Sequence, residues 1–194
     1  MLYERGILMP PKNKISREII LDAALRLVRT QGVEALNARS IALAVGCSTQ
    51  PVFSNFSSME ELKLAVVEKG DEIFNQFMQR QIEQGKYPPY KASGMAYIRF
   101  AKEERELFKL LYMRNRREEK EVSQSKTDEQ MDILVHDGTG LSYEEGKLFH
   151  LEMWATVHGL AVMAATDYIE LDEELVSRIL TDTFQGLKSR FSKE

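Results

Sequence analysis

Cysteine is nearly absent from this chain. Cys47 is the only one in 194 residues, which excludes an internal disulfide framework and suits a reducing cytoplasm. Only three histidines occur, and His150 and His158, eight residues apart, have no third ligand at close spacing. No metal site is expected. No uninterrupted apolar run approaches the ~18 residues of a membrane span, so no membrane partner is expected. The N-terminal MLYERGILMPPKNK has no apolar segment of signal-peptide length and no small-residue cleavage site. Gly-rich phosphate loops, serine elbows and paired-carboxylate sites are also missing. Together these absences argue against an enzyme, and no catalytic residue or cofactor is expected.

With 43% hydrophobic residues, the chain can bury a real core, as one domain or as one small and one larger domain. Its net charge is −4, unevenly spread: residues 1–70 carry nine basic and seven acidic side chains, residues 71–194 seventeen and twenty-three. A slightly basic N-terminal part on an acidic body fits a DNA-reading head on a domain that does not touch DNA.

Nearly every segment has helical periodicity, and no stretch reads as strand. Ser16 caps a pattern with Ile19, Ile20, Ala23, Ala24, Leu27 and Val28 on one face, ended by Gln31-Gly32 with Gly32 suited to a left-handed position. Asn37 caps a short helix, Gly46 breaks it, and Ser48 is expected to cap the next. Pro51 falls in that helix's first turn, where its missing N–H has no partner. Ser57 and Ser58 with Glu60 and Glu61 form overlapping capping boxes for a helix to about Gln84. After Gly85-Lys86-Tyr87-Pro88-Pro89, helices are predicted over 90–102, 106–115 and 128–135, the last ending near Asp137-Gly138-Thr139-Gly140, with a charged, exposed stretch at 116–126. Ser142-x-x-Glu145 opens a long apolar helix to about Asp167, and an amphipathic one follows from about Asp172. The fold class is all-α, with about nine helices: an N-terminal three-helix helix-turn-helix unit over 12–60 and a larger helical unit over 61–194. Residues 1–11 read as a leader or disordered extension.

Residues 37–56, two short helices around Gly46, have the form of a helix-turn-helix, whose second helix enters the major groove. Ser48, Thr49, Gln50 and Pro51 lie at the start of that helix. Gln pairs bidentately with adenine, Thr bonds a base or touches a thymine methyl, and Pro51 offers only apolar contact. Arg39 is placed for phosphate or base contact, and Lys12, Lys14 and Arg17 for the backbone beside the groove. By themselves these features also fit a plain helical hairpin.

The block from Ile19 to Gly70 resembles the DNA-binding domain of the tetracycline-repressor (TetR) family. The resemblance rests on the ILDAALRL face, Gly32, Leu36, Arg39, Ile41, Ala42, the run Ala44-Val45-Gly46-Cys47-Ser48, Phe56, and Ser58-x-Glu60-Glu61-Leu62. It implies that double-stranded DNA is the partner. Two positions depart from the family's pattern: Phe53 stands where tyrosine is usual and Met59 where lysine often occurs. Neither side chain can donate a hydrogen bond to phosphate. The grip on phosphate then falls to Arg39, Ser54, Asn55, Ser58 and Lys63, and to backbone N–H groups. At Cys47 the family usually has a small apolar residue, which makes packing its expected role.

Further on, Trp154-Ala155-Thr156-Val157-His158-Gly159 resembles the W-x-x-x-H-G motif of one TetR subgroup. That resemblance implies a helical effector domain that takes a small molecule in an internal cavity and dimerises through its last two helices. The residues support a dimer independently. Ala155, Gly159, Ala161, Ala164 and Ala165 among larger apolar side chains make a helix apolar over most of its circumference. A two-fold dimer predicts a pseudo-palindromic site with half-sites about one turn (~34–36 Å) or more apart. Phe74, Phe77, Met78, Tyr97, Phe100, Tyr112, Met131, Trp154 and His158 are the candidate lining of the cavity, although such residues are also ordinary core. The expected function is a ligand-responsive, homodimeric repressor in the cytoplasm. The alternative is a TetR-like protein with weak or no DNA binding that acts through a partner protein.

Overall fold

The computed structural model describes residues 15–115 and 126–191. Lys12, Lys14, the expected leader over 1–11 and most of the charged stretch at 116–126 lie outside these residues. Among the described residues there are nine α-helices and no strand.

Helix α1 (Arg17–Gln31) starts where the Ser16 hydroxyl accepts the Ile19 N–H at 3.3 Å and buries Ile20, Ala23, Ala24, Leu27 and Val28. Gly32 ends it at φ +82° but with ψ 172°, an extended rather than a left-handed turn. The torsion is what calls for glycine; a Cβ there would lie 2.9 Å from Oε2 at the tip of the flexible Glu106 side chain. After one 3-10 turn, α2 (Ala38–Val45) is capped by Asn37, whose Oδ1 accepts from Arg39 and Ser40 N–H at 3.1 and 3.0 Å. Gly46 closes it in the left-handed region, φ 78° and ψ 38°.

Helix α3 (Gln50–Asn55) differs from the expectation. Thr49, not Ser48, precedes its first residue, and no side chain caps it. Thr49 has helical torsions, so its carbonyl starts the ladder, accepting from Val52 and Phe53 at 3.1 and 3.3 Å. Pro51 sits in the first turn as expected. At α4 (Met59–Glu83) the capping box is split across both serines. Ser58 Oγ accepts the Glu61 N–H at 3.1 Å, while the Glu61 carboxylate accepts the N–H and hydroxyl of Ser57, each at 2.7 Å.

The body follows with α5 (Pro89–Glu103), α6 (Arg105–Tyr112), α7 (Lys126–Thr139), α8 (Tyr143–Ala165) and α9 (Glu173–Phe191). Helix α7 runs to Thr139, within the expected stop at Asp137–Gly140, and Gly140 at φ 75° makes the turn. The Ser142 N–H donates to Glu145 at 3.1 Å to start α8, and Asp172 Oδ1 accepts the Leu175 N–H at 2.7 Å to start α9. By length and composition alone α8 passes for a membrane span, with a mean hydropathy of 1.2 over 18 residues. In the fold it packs against α5, α6, α7 and α9.

One contiguous core runs from Ile20, Ile41, Val52, Phe56 and Leu62 in the head through Phe74, Phe100, Leu107 and Phe108 to Leu160 and Leu180 in the body. Its continuity comes from α4, whose first turn belongs to the head and whose later turns bury Phe74 and Met78 against the body. A smaller cluster, Val135, Phe149 and Met153, joins α7, α8 and α9.

Candidate nucleic-acid interface and ligand cavity

Val52 and Phe56, each 1% exposed, anchor the back of α3 in the head. The opposite face presents Gln50, Phe53 and Ser54 to solvent, at the i, i+3, i+4 spacing of one helical face. Ser48 is exposed, and Thr49 and Pro51 are half-buried beside it. Arg39 and Lys63 are exposed near the starts of α2 and α4. The exposed set also includes two large apolar side chains, Phe53 at 52% and Leu43 of α2 at 84%.

Arg17 and Asn55 hold the head together. Arg17 Nη1 donates to the Asn55 carbonyl at 2.7 Å and to Glu61 Oε1 at 2.8 Å, and its guanidinium lies 3.9 Å from the centre of the Phe56 ring. One side chain thereby ties the first turn of α1 to the end of α3 and the start of α4. Asn55 Nδ2 donates to the carbonyls of Pro51 at 2.8 Å and Ile15 at 3.3 Å, and the Ser54 hydroxyl donates to the Gln50 carbonyl at 2.9 Å. The hydroxyl of Ser57, then its N–H, then Arg17 stabilise the ionised Glu61, holding its carboxyl down at about 2.

A cavity of about 830 Å³ lies in the body between α4, α5, α7, α8 and α9. Of the nine side chains expected around a ligand, Phe74, Met78, Tyr97, Tyr112, Met131 and Trp154 line it. Phe77, Phe100 and His158 do not. Phe100 is fully buried behind Phe74, their ring centres 5.1 Å apart, and Phe77 packs on Phe100 at 5.5 Å. His158 stands behind the wall, stacked on Trp154 at 4.8 Å with its Nδ1 3.0 Å from the Tyr97 hydroxyl. Burial lowers its affinity for a proton and raises the Tyr97 phenol above its usual range.

The expectation missed Tyr90, Ser93, Gly94, His150 and Thr181, which also line the cavity. The signal was present on α5, where Tyr90, Ser93, Gly94 and Tyr97 recur at i, i+3, i+4 and i+7. Tyr90 Oη lies 2.9 Å from His150 Nδ1. Since Tyr90 pairs with His150 and Tyr97 with His158, α5 and α8 run in the same direction.

A second hollow of about 640 Å³ on the other side of α5 is lined by Lys86, Arg99, Lys102, Arg105, Glu103 and Glu173, among others. Most of its charges pair: Lys86 with Glu173 and Arg99 with Glu103, each at 2.6 Å, and Arg105 with Asp167. It has the character of a solvated ion-pair surface.

The cavity reaches the head through α6. Phe108 and Tyr112 of α6 pack on Tyr97, with ring centres 5.4 and 4.9 Å away. The residue preceding α6, Glu104, accepts two N–H groups from Arg29 of α1, one at 2.8 Å. At Gly70, α4 approaches α6 so closely that a Cβ would lie 2.9 Å from Leu107 Cδ1 and 3.0 Å from Leu111 Cδ2.

Two family models match the chain. Residues 20–66 match the bacterial regulatory proteins of the tetR family, and residues 90–184 the tetracyclin repressor-like C-terminal domain. No curated protein matches it in sequence. Solved structures share the fold at low identity. A TetR-like transcriptional regulator from a Rhodococcus species is 16% identical with a TM-score of 0.66, over 95% of this chain and 99% of that one. A TetR-family member from Streptomyces coelicolor is 18% identical with a TM-score of 0.62, over 86% and 96%. The multidrug binding protein EbrR, complexed with imidazole, is 18% identical with a TM-score of 0.59, over 94% and 97%. Carrying both the N-terminal and the C-terminal domain of that family in order, the chain belongs to the tetracycline-repressor family of transcriptional regulators.

Proposed function

We propose that this protein is a ligand-released repressor. A homodimer holds a pseudo-palindromic DNA site through α3 and lets go when a small molecule fills the cavity between α4, α5, α7, α8 and α9. The observation that carries this reading is the direct link from cavity to head. Tyr97 and Tyr112 line the cavity and pack with Phe108, and Glu104, just before the same short helix, grips Arg29 in the head. A ligand that favours one placement of α6 thereby favours one placement of the head.

In this reading the head over 12–60 binds DNA and the body over 61–194 binds effector and partner copy. Thr49, Gln50 and Pro51 face bases, Arg39, Ser48, Ser54 and Lys63 hold phosphates, and Arg17 and Asn55 position α3 and α4 around them. Leu148, Leu151, Ala155, Gly159 and Met163 form a stripe on α8 at i, i+3, i+7, i+11 and i+15. The two leucines and Met163 are exposed, and nothing lies within 4 Å of a Cβ built on Gly159. With exposed Leu175 of α9, this is the face offered to a second copy. Membership of the Trp154-x-x-x-His158-Gly159 subgroup and a cytoplasmic location complete the proposal.

Selection of bound duplexes from a random pool, with and without candidate ligands, tests it. Expected is a two-fold sequence with half-sites a turn or more apart, lost when ligand is added. A second reading is favoured by exposed Phe53 and Leu43, apolar where a phosphate grip wants donors. On that reading the head meets a partner protein, and a dimer with no preference among duplexes supports it.

A further inference from the structure

Two Tyr–His pairs stand along the cavity: the Tyr90 hydroxyl lies 2.9 Å from His150 Nδ1, and the Tyr97 hydroxyl lies 3.0 Å from Nδ1 of His158 behind the wall. The tyrosines are seven residues apart on α5 and the histidines eight apart on α8, which at 1.5 Å per residue separates the pairs by about 10–12 Å. Between them the wall is mostly apolar, with Gly94, Met131, Met153, Val157 and Leu180, and its Ser93 and Thr181 hydroxyls are engaged by the Tyr90 carbonyl and Lys91. At Gly94 the helices pack closely, since a Cβ there would lie 3.2 Å from Leu180 Cδ1 and 3.3 Å from Val157 Cγ2, and any larger residue would narrow the space further.

Of the lining side chains only Lys91, Asp137 and Lys188 carry charge. The Asp137 side chain is 70% exposed. The Lys91 ammonium donates to Thr181 at 2.7 Å, and Lys188 donates to the Gly138 carbonyl at 3.1 Å. A cationic group in the cavity would face these two ammonium groups, and any charge out of reach of Lys91, Asp137 and Lys188 would lose its hydration without a counter-ion. A tyrosine hydroxyl has one proton and two lone pairs, so Tyr97, bonded to His158 and Trp154, keeps one position for a ligand oxygen, and Tyr90 beside His150 also keeps capacity.

We propose that the effector is an uncharged, elongated, apolar molecule with an oxygen at each end. The two oxygens stand about 10–12 Å apart, one meeting the Tyr90–His150 pair and the other the Tyr97 hydroxyl that His158 holds from behind. The inference rests on the ligand-released reading of the same cavity. It defines a class by length, charge and end groups: rigid diols, phenols or diketones with an apolar middle.

Trp154 is the single tryptophan of the chain and lines the cavity, so its fluorescence reports occupancy in the full-length protein. The probes are stilbene, para-hydroxystilbene, para,para′-dihydroxystilbene, the corresponding dicarboxylate, and hydroquinone, which has two hydroxyls but cannot span the ends. The dihydroxy compound is expected to bind about tenfold tighter than the monohydroxy one and more tightly still than stilbene. Hydroquinone and the dicarboxylate are expected to bind more weakly than the dihydroxy compound. Tyr90→Phe and Tyr97→Phe keep the rings and their packing. Each is expected to weaken the dihydroxy compound about tenfold and leave stilbene unchanged. Equal binding with and without hydroxyls, or indifference to both tyrosine changes, overturns the two-ended effector while leaving ligand binding in the cavity standing. No quenching by any member overturns both.

Discussion

Arg29 and Glu104, 75 positions apart in the chain, face each other as a fork on a fork: Nε donates to Oε2 at 2.8 Å, and Nη2 to Oε1. The hydrogen bond to Glu104 is the largest cause of the raised proton affinity of Arg29. The pair joins the last turn of α1 to the residue that starts α6, beside the close approach of Glu106 to Gly32. The two side chains are 41% and 21% exposed, so their direct contribution to stability is small, about 0.5–1 kcal/mol in a double-mutant cycle.

If this pair carries the signal, Arg29→Ala and Glu104→Ala leave the fold and DNA affinity nearly intact and weaken the response to ligand. The factor by which a cavity ligand lowers DNA affinity is expected to fall about three- to fivefold. DNA titrations with and without ligand check it. An unchanged factor would place the coupling in apolar packing alone.

Gly70→Ala puts a methyl between α4 and the side chains of Leu107 and Leu111. The expected cost is about 1–3 kcal/mol of stability, because a packed core must shift to admit it. Since α4 also starts in the head, DNA affinity is expected to change with it. Chemical denaturation and DNA titration measure both, and an alanine tolerated without loss would mean the two helices separate easily.

Glu61 sets an acid limit on the head. Its carboxyl is held at about 2, chiefly by the Ser57 hydroxyl and N–H and then by Arg17, below the ordinary 4.5. A depressed folded-state value means that its stabilisation is complete above about 4.5 and is lost as pH falls towards 2. In Glu61→Gln the difference from the parent protein should therefore be largest near neutral pH and shrink on acidification. A constant difference across a pH series of melting curves would contradict this.

On DNA, Gln50→Ala should relax preference at one base position by about 1–3 kcal/mol, since Gln50 is exposed on the free face of α3. Arg39→Ala should weaken all sequences alike and reduce the salt slope by about one charge. Binding to duplexes with single base changes, at several salt concentrations, separates the two. Loss of one base preference on removing Arg39 would reassign it to base contact.

Leu151, 58% exposed in the middle of the α8 stripe, should be buried by the second copy. Leu151→Glu is expected to yield monomers in sedimentation and to weaken DNA binding by at least about tenfold, because one head makes half the contacts. A dimer that survives the change would move the interface elsewhere.

The helices and their ends were largely legible because they are local events. Ser16, Asn37, Ser58, Gly46 and Gly140 act on neighbours within a few residues, and the apolar spacing of α1 and α4 needs only the 3.6-residue period. Ser48 misled because Thr49 took helical torsions and started the ladder without a side-chain cap. The cavity was half legible. A count of aromatic and methionine residues does not tell a wall from the layer behind it, which is why Phe100 and Phe77 belonged to the core while Tyr90 and His150 faced the space.

Local sequence alone determined the all-α class, the positions of most helix starts and stops, and the helix-turn-helix at 37–56, because capping and periodicity depend on residues a turn or two apart. Tertiary structure alone decided that Arg17 clamps the head, that Arg29 meets Glu104, and that two Tyr–His pairs tie α5 to α8 beside one cavity. Those contacts join residues 38 to 75 positions apart. Only the packing of whole helices against one another sets such distances.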